Sequence, residues 1–163
     1  IESRPVDLSA LVREQCDLMR VQATERGLDL VYCDSGQETV VLADGKRVRQ
    51  VLRNLVSNAI KFTDHGSIRV SVDVGDGMAK VTVVDSGIGI PRAEQSKLFV
   101  PFGRVQRPGE RERYGTGLGL VISRRLVHAM GGEIGLLSEA HAGSTFWFTL
   151  PLWQETTCAG ARD

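Results

Sequence analysis

The residues best suited to chemistry form a polar row inside a segment with helical apolar spacing. Asn54, Asn58 and Lys61 follow one another at intervals of four and three positions, so on a helix they share one face. A carboxamide oxygen can ligate a hard cation without adding negative charge, which suits Mg²⁺ that already carries phosphates. The row alone is also compatible with a solvated helix face. The complementary stripe is apolar: Val48, Val51, Leu52, Leu55, Val56, Ala59 and Ile60.

A second candidate is the carboxylate of Asp85, which ends an alternating apolar stretch. The positions that share its parity on a strand are apolar: Ala79, Val81 and Val83. The carboxylate is therefore predicted to follow the apolar face inward. Because an ionised carboxylate only accepts hydrogen bonds, it would select a donor such as the adenine amino group over the guanine carbonyl. Gly87 and Gly89 would let the backbone approach a flat base, although Asp-x-Gly also occurs as a simple turn.

A glycine-rich segment precedes a second amphipathic helix. It consists of Gly115, Thr116, Gly117, Leu118 and Gly119. Glycines at a helix start expose backbone N–H groups to an anion, and the helix dipole favours negative charge there, so the segment is a candidate phosphate cradle. The alternative is a flexible loop. The spacing is neither a dinucleotide fingerprint nor a P-loop, because the third glycine of the former and the Gly-Lys-Ser/Thr of the latter are missing.

Residues 91–114 form a connection too long for an ordinary loop of a compact domain. We expect a mobile lid over a nucleotide, with Phe99 and Phe102 as its hydrophobic anchors. Both phenylalanines are equally compatible with plain core. Most arginines of this stretch are interpreted as a solvated charge run, and Arg104, beside the Phe pair, is the candidate for a ligand contact.

Length and composition bound the class of protein. The chain has 163 residues, 42% of them hydrophobic and 25% charged, with a formal net charge of zero. This is typical of one soluble globular domain and gives no argument for a nucleic-acid partner or for direct membrane contact. Three cysteines without C-x-x-C spacing indicate free thiols in a reducing compartment, hence a cytoplasmic location. No His/Cys cluster suggests zinc.

The periodicities predict the elements that must position these residues. Helices are expected over 8–25 and 44–62, and Asp44 is the predicted N-cap of the second. A third helix is expected after the glycine-rich segment that ends at Gly119. Gly75, Asp76 and Gly77 indicate a hairpin turn. Strands are expected over 29–33, 39–42, 67–74, 79–84, 133–137 and 144–150. The predicted fold is a two-layer α/β sandwich, a mixed sheet of about five strands covered on one face by about three helices.

Four segments, over 54–63, 85–89, 99–102 and 115–120, occur in an order and spacing that generic core or loop sequence would not produce. Together they resemble the ATP-binding catalytic domain of sensor histidine kinases, within the superfamily that also contains gyrase-type, Hsp90-type and MutL-type ATP-binding domains. The resemblance covers roughly 5–151 and implies a Bergerat-type sandwich that binds ATP and Mg²⁺.

The resemblance also implies roles for individual residues. Asn58 matches the Mg²⁺-ligating asparagine, supported by Asn54, while Lys61 matches a basic position near the phosphates and Phe62 an aromatic near adenine. Asp85 matches the adenine-selecting aspartate. The remaining positions match the adjacent glycines, the lid, the phosphate loop and, with less specificity, an adenine-side threonine: Gly87, Gly89, Phe99, Phe102, Arg104, Gly115, Thr116, Gly117, Leu118, Gly119 and Thr145.

One position bears on mechanism. Related ATPases carry a glutamate one helical turn before the metal-binding asparagine, and anti-sigma serine kinases also have a carboxylate there. This chain has Asn54, which cannot take a proton from water at neutral pH. His65, His128 and His141 lack the acidic neighbour typical of a phosphoacceptor. No catalytic residue is therefore expected within the chain itself.

The predicted function is that of the catalytic part of a two-component histidine kinase, which donates the γ-phosphate of Mg-ATP to a histidine on a separate helical dimerisation domain. A response-regulator receiver domain would be the indirect partner. Residues 1–5 are interpreted as the end of a linker, 6–152 as the catalytic domain and 153–163 as a tail. The alternatives are the nucleotide-binding module of a degenerate kinase and an anti-sigma-type serine kinase, and Asn54 disfavours the latter.

Overall fold

A computed structural model of the protein describes residues 1–101 and 119–155. Its elements in chain order are β1 (Arg4–Asp7), α1 (Leu8–Glu25), β2 (Asp29–Cys33), β3 (Val40–Ala43), α2 (Gly45–Phe62), β4 (Ser67–Gly75), β5 (Met78–Asp85), α3 (Arg92–Gln95), α4 (Gly119–Ala129), β6 (Ile134–Ser138) and β7 (Ser144–Pro151).

The main layer is a mixed five-stranded sheet in the order β2-β4-β5-β7-β6. Strands β2 and β4 are parallel, whereas β4–β5, β5–β7 and β7–β6 pair antiparallel. The predicted hairpin joins β4 to β5, with Asp76 at φ 54° and Gly77 at φ 74°, which is the left-handed backbone that a tight two-residue turn requires. A second, two-stranded sheet pairs β1 with β3.

Helices α1, α2 and α4 cover one face of the large sheet and bury the core against it. Helix α2 begins after Asp44, whose Oδ1 accepts a hydrogen bond from the Lys46 N–H at 3.1 Å, as predicted for an N-cap. Its buried residues are those of the predicted apolar stripe. Among the described residues, the largest fully buried side chain is Phe148 on β7, and Leu52 and Leu55 of α2 are likewise fully buried. The two-layer α/β sandwich is therefore confirmed.

The structure differs from the expected organisation at several places, one of which is strand β6, which runs one residue later than predicted, over Ile134–Ser138. Arg4 and Pro5, interpreted as linker, belong to strand β1 and pair with Ala43 and Leu42. Strand β3 runs one residue later than predicted, over Val40–Ala43. The first part of the expected lid contains the short helix α3. Within the described ranges, no helix combines the length and apolar character needed to cross a membrane.

Candidate functional site

The Asp85 carboxylate lies at the end of β5, where the strand alternation turns it toward the helices. Its side chain is buried, with 5% exposure, next to the Val84 side chain that points to the open face. Its Oδ1 accepts two backbone hydrogen bonds, from Gly87 at 3.0 Å and from Ser144 at 3.2 Å. Across residues 1–101 and 119–155, Oδ2 has no hydrogen-bond partner, so it is the atom that remains for a ligand that donates.

Burial raises the pKa of the Asp85 carboxyl above its ordinary value, and the N–H groups of Gly87 and Ser144 oppose that rise. Ser144 is a residue that the sequence analysis missed. It is the first residue of β7 and pairs in register with Asp85. Strand parity was the available signal, because two residues that face each other across an antiparallel pair share a sheet face.

The two glycines after Asp85 permit close backbone packing. A Cβ on Gly87 would overlap the Phe62 carbonyl oxygen and would lie 3.0 Å from Asp85 Oδ1. Gly89 has φ 67°, and a Cβ there would overlap the Glu139 carbonyl oxygen. Both positions therefore exclude side chains for reasons of space, and the segment is drawn against the end of α2.

The hydroxyl of Thr63 lies beside the backbone of Gly87, close to Asp85. Thr63 is fully buried at the end of α2, and its Oγ1 would lie 2.9 Å from a Cβ on Gly87. Among the described residues this oxygen has no hydrogen-bond partner. Because buried polar atoms are usually hydrogen-bonded, this hydroxyl is a group that a ligand beside Asp85 could pair with.

The polar row of α2 is present and half-buried, but its members differ in their contacts. Asn54 donates from Nδ2 to Ser123 Oγ of α4 at 3.0 Å, and a Cβ on Gly119 would overlap the Asn54 carboxamide. Asn54 therefore ties α2 to the start of α4. The Asn58 carboxamide has no hydrogen bond to other groups of the described chain, which leaves its oxygen available for a ligand. Lys61 is half-buried one turn further along.

Phe62 ends α2, and its carbonyl oxygen accepts a hydrogen bond from the Ile88 N–H at 3.2 Å. This bond brings the end of the polar row to the glycine-containing segment after Asp85. The two segments that the sequence analysis assigned to one site are therefore adjacent in space.

Phe99 packs partly buried against the core and meets Arg124 of α4, which the sequence analysis did not identify. The Arg124 guanidinium lies 5.4 Å from the centre of the Phe99 ring, and Nη2 donates to the Phe99 carbonyl oxygen at 3.4 Å. Other predicted site residues lie outside the described residues: Phe102, Arg104, Gly115, Thr116, Gly117 and Leu118.

Thr145 is not brought to the Asp85 side chain. It pairs in register with Val84, so its side chain projects to the open face of the sheet while Asp85 and Ser144 project toward the helices. Both Asp85 and Thr145 border a cavity of about 260 Å³ at this end of the sheet. The buried partner of Asp85 at the start of β7 is Ser144.

The residues present fit an adenine nucleotide at the end of the site that the structure describes. A buried acceptor at Asp85 Oδ2, backbone without side chains at Gly87 and Gly89, and the polar Thr63 suit a flat base that carries an amino donor. An amide oxygen at Asn58 suits Mg²⁺, which binds through few protein ligands plus phosphate oxygens. In the described part of the chain, no group of three or more His, Cys, Asp or Glu side chains could hold a metal by itself.

The three histidines lie on different parts of the fold. His65 is in the bend before β4, His128 is on the exposed side of α4, and His141 is in the turn between β6 and β7 with φ 65°. His128 Nε2 lies 3.4 Å from a carboxylate oxygen of Glu133.

The sequence of the chain is similar to those of known ATP-binding proteins. A profile of histidine kinase-, DNA gyrase B- and HSP90-like ATPases matches residues 43–154. The signal transduction histidine-protein kinase BarA of Escherichia coli K12 is 39% identical over 158 residues, which are 93% of this chain and 17% of BarA. The chain thus spans about a sixth of the length of that relative.

Solved structures show the same fold. Full-length ShkA in complex with AMPPNP superposes with a TM-score of 0.83 at 33% identity, over 96% of this chain and 32% of ShkA. The nucleotide-free catalytic domain of histidine kinase ThkA gives a TM-score of 0.79 at 31% identity, over 93% of this chain and 96% of that domain.

Proposed function

Since this chain belongs to the family of histidine kinase-, DNA gyrase B- and HSP90-like ATPases and is homologous to the catalytic domains of histidine kinases, we propose that it binds Mg-ATP and donates the γ-phosphate to a histidine of a separate helical domain. The parent protein would be a two-component kinase that passes the phosphoryl group to a response regulator, and this part would act in the cytoplasm.

The observation that carries the nucleotide assignment is the Asp85 carboxylate. Two backbone donors occupy Oδ1 and Oδ2 has no partner among the described residues, so Oδ2 would accept the 6-amino group of adenine. A purine with a carbonyl at that position would place two acceptors face to face. An unpaired buried polar group costs about 1–3 kcal/mol, which is roughly a 5- to 150-fold preference for ATP over GTP.

The residues of α2 would serve the phosphate end. Asn58 would ligate Mg²⁺ through its carboxamide oxygen, and Lys61 would lie near the phosphates. When bound, Mg²⁺ would neutralise phosphate charge and bridge phosphate oxygens. Phe62 would lie near the base, and Asn54 would hold the start of α4 against α2. The place of Thr145 beside adenine stays a prediction, since Thr145 and Asp85 border one cavity although their side chains project to opposite faces of the sheet.

Isothermal calorimetry with ATP and GTP in the presence of Mg²⁺ tests the nucleotide assignment. We expect ATP to bind more tightly by the factor given above, and Asp85→Asn to lose most of that preference while remaining folded. Asp73→Asn, an exposed carboxylate on the neighbouring strand β4, is the matched control and should behave as the wild type. Equal affinities for ATP and GTP in the wild-type protein would contradict the proposed role of Asp85.

A further inference from the structure

Hydrogen bonds around Ser138 join the end of β6 to residues that contact Asp85, and we call this group of bonds the junction. Ser138 is the last residue of β6 and pairs in register with Ser144. Its Oγ accepts from the Ile90 N–H at 2.8 Å and lies 2.9 Å from the Gly143 carbonyl oxygen and 2.8 Å from Ser144 Oγ. If Ser138 donates to Gly143 and accepts from Ser144, the single donor and both lone pairs of the hydroxyl are used.

The junction reaches Asp85 through the backbone of the residues that it holds. The Ser144 N–H donates to Asp85 Oδ1, and a Cβ on Gly143 would overlap the Asp85 carbonyl oxygen. Ser138 thus fixes two consecutive residues that contact Asp85, one at its carboxylate and one at its backbone. The bonds to Ser138 therefore favour the position of Ser144 in which its N–H donates to Asp85 Oδ1.

Helix α3 is attached to the same junction by Gln95. Its Nε2 donates to the Ser138 carbonyl oxygen at 2.7 Å and to the Ile90 carbonyl oxygen at 2.9 Å. One amide group therefore joins β6 to the segment that follows Gly87 and Gly89. Side-chain networks of this kind stabilise one arrangement of the groups they connect when every member is satisfied.

We propose that Ser138 and Gln95 are positioning residues that set the base selectivity of the site, by holding the Ser144 N–H on Asp85 Oδ1 so that Oδ2 alone faces the purine. The inference rests on the proposed function, because it takes Asp85 as the acceptor of the 6-amino group. Neither residue contacts the nucleotide in this account. Without the junction, the carboxylate could turn and accommodate a 6-carbonyl base with less penalty.

The test compares the affinities of ADP and inosine diphosphate, which share ribose and diphosphate and carry an amino and a carbonyl group at position 6. A variant that merely loosens the domain lowers both affinities together and leaves their ratio unchanged. Ser138→Ala removes every bond of the hydroxyl, so we expect the ADP preference to fall by about 3- to 10-fold, as for the loss of one or two hydrogen bonds. Ser138→Thr keeps the hydroxyl and should restore the preference. Gln95→Ala should lower it less.

Ser86→Ala is the matched control. Ser86 follows Asp85 directly, and its Oγ accepts from the Ser67 N–H at 3.0 Å, on the side of the site away from Ser144. Its removal should leave the ratio unchanged. Thermal melting of each variant sets the temperature at which all are folded. If Ser138→Ala does not fold, Ser144→Ala, which keeps the backbone donor but loses the bond to Ser138, and Gln95→Ala carry the test.

An unchanged ratio in folded Ser138→Ala, or in both substitute variants, would overturn the inference while leaving the proposed function intact, provided that the wild-type protein prefers ADP. The inference would also be overturned if Ser138→Ala lowered the ADP preference no more than Ser86→Ala does. Wild-type protein that binds the two diphosphates equally would remove both the inference and the proposed role of Asp85.

Discussion

The carboxyl group of Asp85 is buried, and burial disfavours its charged form. Because its pKa in the folded state is raised, the folded protein binds a proton at Asp85 more readily than the unfolded chain does. The corresponding contribution to stability is complete below the ordinary pKa of the carboxyl and is lost as pH rises through the raised value. The carboxylate therefore costs stability at neutral pH, where it would be needed to accept a hydrogen bond from a base.

This gives a prediction for the protein without nucleotide. Asp85→Asn should melt at the same or a higher temperature than the wild type at neutral pH, and its advantage should shrink as the pH is lowered through the raised pKa of Asp85. In the wild type, ADP binding should weaken over the same acidic range. Differential scanning fluorimetry and calorimetry across a pH series provide the measurement. A variant that is much less stable than the wild type at neutral pH would show that the carboxylate supports the fold.

Asn58 gives a second prediction at the same scale. Asn58→Ala should abolish most of the Mg²⁺ dependence of ATP binding, because the substitution removes the proposed metal ligand and leaves the core unchanged. Titration of ATP with and without Mg²⁺ is the measurement. Ser57→Ala, the neighbouring half-buried position on α2, should retain the wild-type dependence. Wild-type Mg²⁺ dependence in Asn58→Ala would reduce Asn58 to a surface amide.

At the scale of elements, we expect one face of α2 to stabilise the fold and the opposite face to bind the ligand. Leu55 is fully buried on the apolar face. Leu55→Ala should lower the free energy of unfolding by about 2–5 kcal/mol, the usual cost of a cavity in a well-packed core. Asn58→Ala, on the polar face of the same helix, should leave it within about 0.5 kcal/mol. Urea denaturation of both variants measures the difference, and a large loss of stability in Asn58→Ala would contradict the assignment of faces.

The long periodic elements were predictable because their residues repeat a single pattern. Helix α1, strand β2 and the start of β7 have the predicted limits, and the Asp44 cap and the Gly75–Gly77 turn specify their own geometry. Strand β1 was not predictable, because four residues that include Pro5 carry no alternation and are stabilised only by pairing with the distant β3.

The placement of the candidate site residues was predictable where one periodicity decides it, as for Asp85 at the buried end of β5 and for the polar row of α2. Contacts between segments distant in sequence were not, since the register that pairs Asp85 with Ser144 and Val84 with Thr145 comes from the sheet. For the same reason, the hydrogen bond of Asn54 to Ser123 and the packing of Arg124 on Phe99 could not be predicted from periodicity. Parity within β7 distinguishes Ser144 from Thr145 only once the partner strand is known.

At the scale of the whole molecule, two features determine what would happen to bound ATP. Asn54 has an amide where the resemblance implies a carboxylate in ATP-hydrolysing relatives, and this amide donates to Ser123. The histidines are a bend residue, a turn residue and His128, which is exposed on α4 beside Glu133. We therefore expect the domain to hold ATP for transfer to another domain rather than to hydrolyse it.

The most direct test of this account follows the γ-phosphate of labelled ATP. The chain alone should bind Mg-ATP, remain unlabelled and release phosphate only at a very low rate, since general-base assistance is worth about 10²- to 10⁴-fold. Addition of a cognate helical domain that carries a phosphoacceptor histidine should place the label on that histidine. Brisk hydrolysis by the chain alone, or acid-labile label on His128, would contradict the assignment of this protein as a phosphate donor to a separate domain.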